Sequence, residues 1–262
     1  MLHVPKIRAL SNIVIKRLVL TDVSLLDSTP GSSIDRFHYV IANHTPTYMD
    51  LGKNATMKNL WFTKGGSMYN YANHYLSQMG VSNPALYVSF PTSSATNSFP
   101  MVSYRTSISN RYQMKTENKS VLDTKKELCL LANQRTKLYV SCINNCPIVG
   151  PIDIDYTLHE LCRYYHNFAI DEITLCDTCG TLSFDDYVYL IEAMYLFGIP
   201  KSKIGLQLRY THKNKENTKD IIQYACEYGF LNMDVIGDVF AKSGDIITYD
   251  FVYTWGQKYI KK

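Results

Sequence analysis

The chain has 262 residues, of which 46% are hydrophobic and 19% charged, with a formal net charge of +4 and seven cysteines. That apolar fraction excludes disorder as the main state, and the length supports a sizeable core without disulfides or metal staples. Mild basicity without a concentrated basic face does not argue for nucleic acid.

In chain order, strands are predicted at Val14–Val23 and Phe37–Ile41, from runs of β-branched and aromatic residues. The stretch between Asp27 and Phe37 is too short for a proper first helix. A strand is expected at Leu60–Thr63, a helix over Met68–Met79 and a strand at Ala85–Phe90. Residues 91–121, rich in Ser, Thr and Asn, read as one long polar loop, followed by a helix over Thr124–Asn133.

The second half alternates cleanly. Lys137–Ile143 is a strand, and residues 154–167 carry apolar positions at helical spacing. Glu172–Cys176 is a strand, after which Ser183 offers an N-cap and Asp185 and Asp186 fill the first helical turn, with Gly198 at the far end. A strand at Lys203–Arg209, a helix over Lys215–Glu227 closed by Gly229, a short strand at Met233–Ile236 and a last helix over 246–260 complete the chain. Strands separated by helices of 10–15 residues imply βαβ units and a parallel sheet, and eight of them suggest a (β/α)8 TIM barrel, class α/β, in a single domain over 1–262 with 1–12 as an extension. No run approaches the roughly 20 apolar residues of a membrane span. The basic N-terminus is only weakly like a transit peptide, so a cytoplasmic protein with reduced thiols is expected. The 21 tyrosines and frequent Asn and Lys fit an AT-rich genome; with the worn motifs described next, that suits a large DNA virus or a parasite.

Several segments resemble one family. Lys137-Leu-Tyr-Val-Ser-Cys-Ile-Asn-Asn-Cys-Pro147 is similar to the Y-V-S-C-x-x-x-C-P segment of hydroxymethylglutaryl-CoA lyases. Glu172-Ile-Thr-Leu-Cys-Asp-Thr-Cys-Gly180 is similar to that family's E-I-S-L-x-D-T-x-G. Asp22–Ser28 resembles a worn E-V-x-x-R-D-G, and Ser243-Gly-Asp-Ile246 resembles S-G-N-L. Order and spacing hold from about residue 14 to 260, and the 137–180 block is the specific part. The resemblance implies a TIM barrel whose C-terminal mouth holds a divalent cation as Lewis acid for cleavage of a C–C bond, with a small acyl-CoA-type ligand and room for a homo-oligomer.

Carried over residue by residue, the site departs from that pattern. Asp27 stands at a metal ligand and Asp177 at the acid of the sixth strand, but the arginine of R-D-G aligns with Leu26 and the acid of the second strand with Ala42. The His-x-His metal pair aligns with Gln207 and Arg209, and the last metal-binding asparagine with Asp245. The catalytic loop is shortened to Asp238–Lys242 and lacks its cysteine. Asp27, Asp177 and Arg209 are therefore the candidate catalytic positions, and Asp27, Gln207 and Asp245 the candidate metal positions. Arginine has no lone pair and a permanent charge, so it cannot ligate a cation. It can stand in for one beside carboxylates, making the old metal site an internal ion-pair cluster. The favoured reading is a lyase-like barrel without the parent activity and with no metal cofactor, kept for binding or assembly. The alternative is an active CoA-thioester aldol lyase with a rebuilt Mg²⁺ or Mn²⁺ site. His44 and His212 are expected to be solvated loop residues, and His159 and His166 surface or packing residues. Nucleic-acid binding through His212–Lys215 and Lys219 has only one short basic loop behind it.

Overall fold

The computed structural model describes residues 18–25, 30–44, 46–51, 67–79, 85–89, 101–129, 134–242, 244–256 and 259. Eight parallel strands close a barrel: β1 (Val19–Asp22), β2 (Tyr48–Asp50), β3 (Ala85–Ser89), β4 (Met101–Ser107), β5 (Arg135–Ser141), β6 (Glu172–Cys176), β7 (Ile204–Gln207) and β8 (Asn232–Val235). Each pairs with its sequence neighbours, and β1 closes on β8 with Val19 opposite Asn232 and Asp22 opposite Val235. The helices are α1 (Pro30–Asn43), α2 (Met68–Met79), α3 (Asn110–Glu117), α4 (Val121–Leu128), α5 (Ile154–Asn167), α6 (Phe184–Leu196), α7 (Lys215–Tyr228) and α8 (Tyr249–Trp255). The fold is the predicted (β/α)8 barrel. No helix among the described residues is long and apolar enough to cross a membrane.

Local chemistry sets the helix ends. Ser109, Ser120, Asp153, Ser183 and Thr248 each cap a helix by accepting a backbone N–H, and Gly229 ends α7 at φ +86. Strand alternation sends Leu138 and Val140 of β5 and Ile173 and Leu175 of β6 outward, where they pack with Leu161, Leu190 and Ile221 of the surrounding helices. A second cluster joins Leu25, Met49, Leu51 and Leu86 to Phe37 and Val40 of α1 and to Met68, Ala72 and Leu76 of α2.

Two expectations are corrected. Phe37–Ile41 is the second half of the full-length α1, not a strand, so the first helix is not shortened. Phe37 and Val40 are both fully buried three residues apart, and this helical spacing outweighs the β-branched and aromatic content of the run. The segment 91–121 is not one loop: 101–107 is β4 and 110–117 is α3. Polar Ser103, Arg105 and Ser107 alternate with outward Val102, Tyr104 and Thr106 because the barrel interior at this level is itself polar. The expected strand at Leu60–Thr63, residues 1–12 and residues 91–100 lie outside the described residues.

Candidate functional site

The inward positions of the strands build a charged interior. Lys137, 1% exposed, reaches across the barrel from β5, its Nζ donating to Thr21 Oγ1 at 2.9 Å and Asp234 Oδ1 at 2.7 Å and pairing with Glu172 Oε1 at 2.8 Å. Gln207 Nε2 donates to the other Asp234 oxygen at 3.0 Å, and Thr174 Oγ1 donates to Glu172 at 3.2 Å. Gly205 makes room: a Cβ there would lie 2.6 Å from Glu172 Oε1 and 2.7 Å from Thr174 Oγ1. The Lys137 ammonium also sits 5.2 Å from the Tyr139 ring centroid. Burial acts to lower its pKa, but Asp234 and Glu172 outweigh that and hold it above the ordinary lysine value. Burial pushes Asp234 up to about 6, against the pull of Lys137.

Above this layer stand the residues that the sequence singled out. Asp177, at the end of β6, turns Oδ1 into its own loop, accepting N–H groups of Thr181 at 2.9 Å and Leu182 at 3.3 Å. Burial raises its pKa, opposed by those bonds and by the Arg209 charge. Arg209 follows β7, and its Nη1 donates to the Gly244 carbonyl at 2.9 Å. The segment Gly244–Ile247 runs antiparallel beside it, with Tyr210 N–H on Asp245 O at 2.7 Å and Ile247 N–H on Leu208 O at 3.0 Å. Asp245 spends Oδ2 on the Lys242 N–H at 2.8 Å, closing that turn.

The structure thus brings Asp177 and Arg209 to the same end of the barrel without an ion pair. Among the described residues Arg209 pairs with neither Asp177 nor Asp245, and Asp27, like Leu26, lies outside them. The buried ion-pair cluster that does form is one layer lower, on Lys137, Glu172 and Asp234. Among the described residues, a divalent cation fits the mouth poorly on donor chemistry. Gln207 turns its amide toward Asp234, Arg209 offers only donors, and among the described residues no three His, Cys, Asp or Glu side chains are placed to hold a metal.

Sequence reasoning placed the acid of the second strand at Ala42, which is exposed on α1. The acid on β2 is Asp50, fully buried, accepting the Tyr139 hydroxyl at 3.1 Å across the barrel. The signal was present in Tyr48-Met-Asp-Leu51, where the inward Tyr and Asp alternate with the buried Met49 and Leu51. His44 is not solvated: directly after α1, it stacks on Tyr249 at 4.0 Å between ring centroids and lies 3.6 Å from Asp238. His212 is exposed, and His159 and His166 lie on α5 as expected.

The architecture defines the class: an α/β barrel with a polar lumen and loops gathered over its C-terminal end, where barrel enzymes place their chemistry. Its likeness to solved structures is to hydroxymethylglutaryl-CoA lyases. That of Pseudomonas aeruginosa matches with TM-score 0.69 at 16% identity, over 94% of this chain and 87% of that one. The lyase of Acinetobacter baumannii, solved with coenzyme A and 3-methylmalate, matches with TM-score 0.68 at 13% identity over 93% and 84%. The carboxyl transferase domain of Rhizobium etli pyruvate carboxylase follows with TM-score 0.61 at 14% identity, over 94% of this chain and 44% of that one. The sequence matches no family model and no curated protein. At these identities the shared property is the fold: this chain has the hydroxymethylglutaryl-CoA lyase-like TIM barrel.

Proposed function

We propose that this barrel has lost metal-dependent C–C bond cleavage and serves a binding or assembly role. The observation that carries the reading is Arg209. A permanently charged side chain, tied to the Gly244 carbonyl, occupies the strand-seven position that the family resemblance gives to a histidine ligand. Gln207, at the other such position, is committed to Asp234. A guanidinium there attracts the carboxylate or carbonyl oxygens of a ligand without a metal. A small acyl-CoA-type molecule is the ligand class this favours, in keeping with the coenzyme A and 3-methylmalate held by one structural neighbour. Residues Asp177 and Arg209 are the side chains assigned to that mouth, with Asp27 the third. A cytoplasmic location goes with the reading.

A second reading, an active CoA-thioester aldol lyase with a rebuilt Mg²⁺ or Mn²⁺ site, draws on the buried Asp50 of β2, an inward carboxylate at the strand where the family keeps one. The two part in one assay. Purified protein is incubated with hydroxymethylglutaryl-CoA and millimolar Mg²⁺ or Mn²⁺, and acetoacetate and acetyl-CoA are measured. The proposal expects none above the protein-free control. Turnover that is abolished by Asp50→Asn overturns it in favour of the second reading.

A further inference from the structure

At the rim of the barrel opposite the candidate site, where strands begin and helices end, no described element covers a cluster of apolar side chains. There α6 ends in Tyr195 and Leu196 and is capped by Phe197, exposed by 50%, 82% and 61% respectively. Tyr228, the last residue of α7, is 46% exposed. Lys201 joins the two helix ends: its Nζ donates to the Tyr228 carbonyl at 2.8 Å and lies 4.9 Å from the ring centroids of both Tyr195 and Phe230. The end of α5 reaches the same corner, with His166 Nε2 at 3.0 Å from the Phe197 carbonyl oxygen. Single exposed apolar side chains are ordinary, but four adjoining ones at one corner mark a surface that another segment covers.

The first strand starts beside this corner. Val19 N–H donates to the Leu231 carbonyl at 3.0 Å, and Leu231 directly follows Phe230. The 17 residues ahead of Leu18 carry Leu2, Val4, Ile7, Leu10 and Ile13, together with Lys6, Arg8, Lys16 and Arg17, and no acid. The charge on α6 is the complement, with Asp185, Asp186 and Glu192 and no lysine or arginine. Its outward line of Asp185, Tyr189, Glu192 and Leu196, spaced four, three and four residues apart, is exposed throughout and leads down to the apolar corner.

We propose that residues 1–17 lie against this lower rim, their apolar side chains on Tyr195, Leu196, Phe197 and Tyr228 and their cations along the acidic line of α6. Length does not limit the contact, since 17 extended residues reach about 56–61 Å. Tethering favours this occupant over a second copy of the chain. A segment joined to β1 meets the corner at an effective concentration in the millimolar range, whereas a second copy in dilute solution must first associate. The corner lies at the far end of the barrel from Asp177 and Arg209, so the contact is independent of any ligand at the mouth.

The test replaces Leu10 in the full chain with the photo-reactive p-benzoylphenylalanine, irradiates a dilute solution and maps the adducts by mass spectrometry of tryptic peptides. The expected adduct forms within one chain, on peptide 164–201, which holds Tyr195, Leu196 and Phe197, or on peptide 220–242, which holds Tyr228. Its yield should fall roughly tenfold when Leu196→Glu and Phe197→Glu together remove the apolar corner. An adduct at twice the chain mass overturns the proposal in favour of a second copy. An intrachain adduct on any other peptide, or none at all, overturns it outright. If the double variant fails to fold, deletion of residues 2–12 decides. The shortened chain should bind several-fold more of the apolar dye 8-anilinonaphthalene-1-sulfonate than the full chain, and equal binding overturns the proposal.

Discussion

Replacing Lys137 with methionine isolates the energetics of the barrel interior. The ammonium is 1% exposed and carries contacts of 2.7, 2.8 and 2.9 Å to Asp234, Glu172 and Thr21. Methionine fills similar volume but leaves two buried carboxylates facing each other, supported only by Gln207 and Thr174. Removing one partner of a buried ion pair costs about 3–5 kcal/mol, because the remaining charge stays desolvated. For a chain of this size each kcal/mol lowers Tm by about 2–4 °C, so a fall of about 6–20 °C is expected. The loss should depend on pH. Asp234 already titrates near 6 with Lys137 beside it, and without the cation it holds its proton still higher. Urea denaturation followed by near-UV circular dichroism should therefore show a larger deficit at pH 8 than at pH 5. Adding Asp234→Asn and Glu172→Gln to the methionine variant should recover a large part of it. A deficit below about 1 kcal/mol that is the same at both pH values would mean that Lys137 does not hold the two buried carboxylates in place.

Asp22 gives a second test of buried charge. Burial raises its pKa from 3.8 to about 7, so across that window the folded chain binds a proton that the unfolded chain has released. Stability should thus fall as pH rises from 4 through 7, and Asp22→Asn should remove up to about 4 kcal/mol of that fall in chemical denaturation run at both ends. Gly205→Ala should cost about 1–3 kcal/mol by the same measurement, since its Cβ meets Glu172 and Thr174 inside contact distance, whereas Gly198→Ala has no close neighbour and is strained only by its φ of +89. Ser183→Ala should lose about 1 kcal/mol through the Asp186 N–H that it leaves uncapped, read as a shift in urea midpoint at constant slope.

The second half of the barrel was legible because its elements are marked at both ends. Ser183 starts α6, Gly229 closes α7, and residues 154–167 are a helix over the range their apolar spacing predicts. The first half misled where composition and spacing disagree. Phe37-His-Tyr-Val-Ile41 looks like a strand by residue type but buries one helical face, and that error displaced the second strand from Tyr48–Asp50 and its acid from Asp50 to Ala42. Polar β4 was hidden for a related reason. Sequence rules expect apolar strands in a parallel sheet, while Ser103 and Arg105 face a lumen that Lys137, Glu172 and Asp234 make polar. The candidate positions Asp177, Gln207, Arg209 and Asp245 came from motif spacing. Their hydrogen-bond partners were not readable, because the Gly244 carbonyl and the Lys242 N–H are backbone atoms and the Asp234 carboxylate reaches Gln207 only across the closed barrel, which a one-dimensional pattern does not carry.

Whether Arg209 and Gln207 leave the barrel mouth without a divalent-metal site is decided by titrating the purified chain with Mn²⁺ and following the free-ion signal by electron paramagnetic resonance. The expected titration overlays the protein-free control. Stoichiometric loss of the free Mn²⁺ signal at micromolar concentration, reversed by Asp245→Ala, would contradict the absence of such a site.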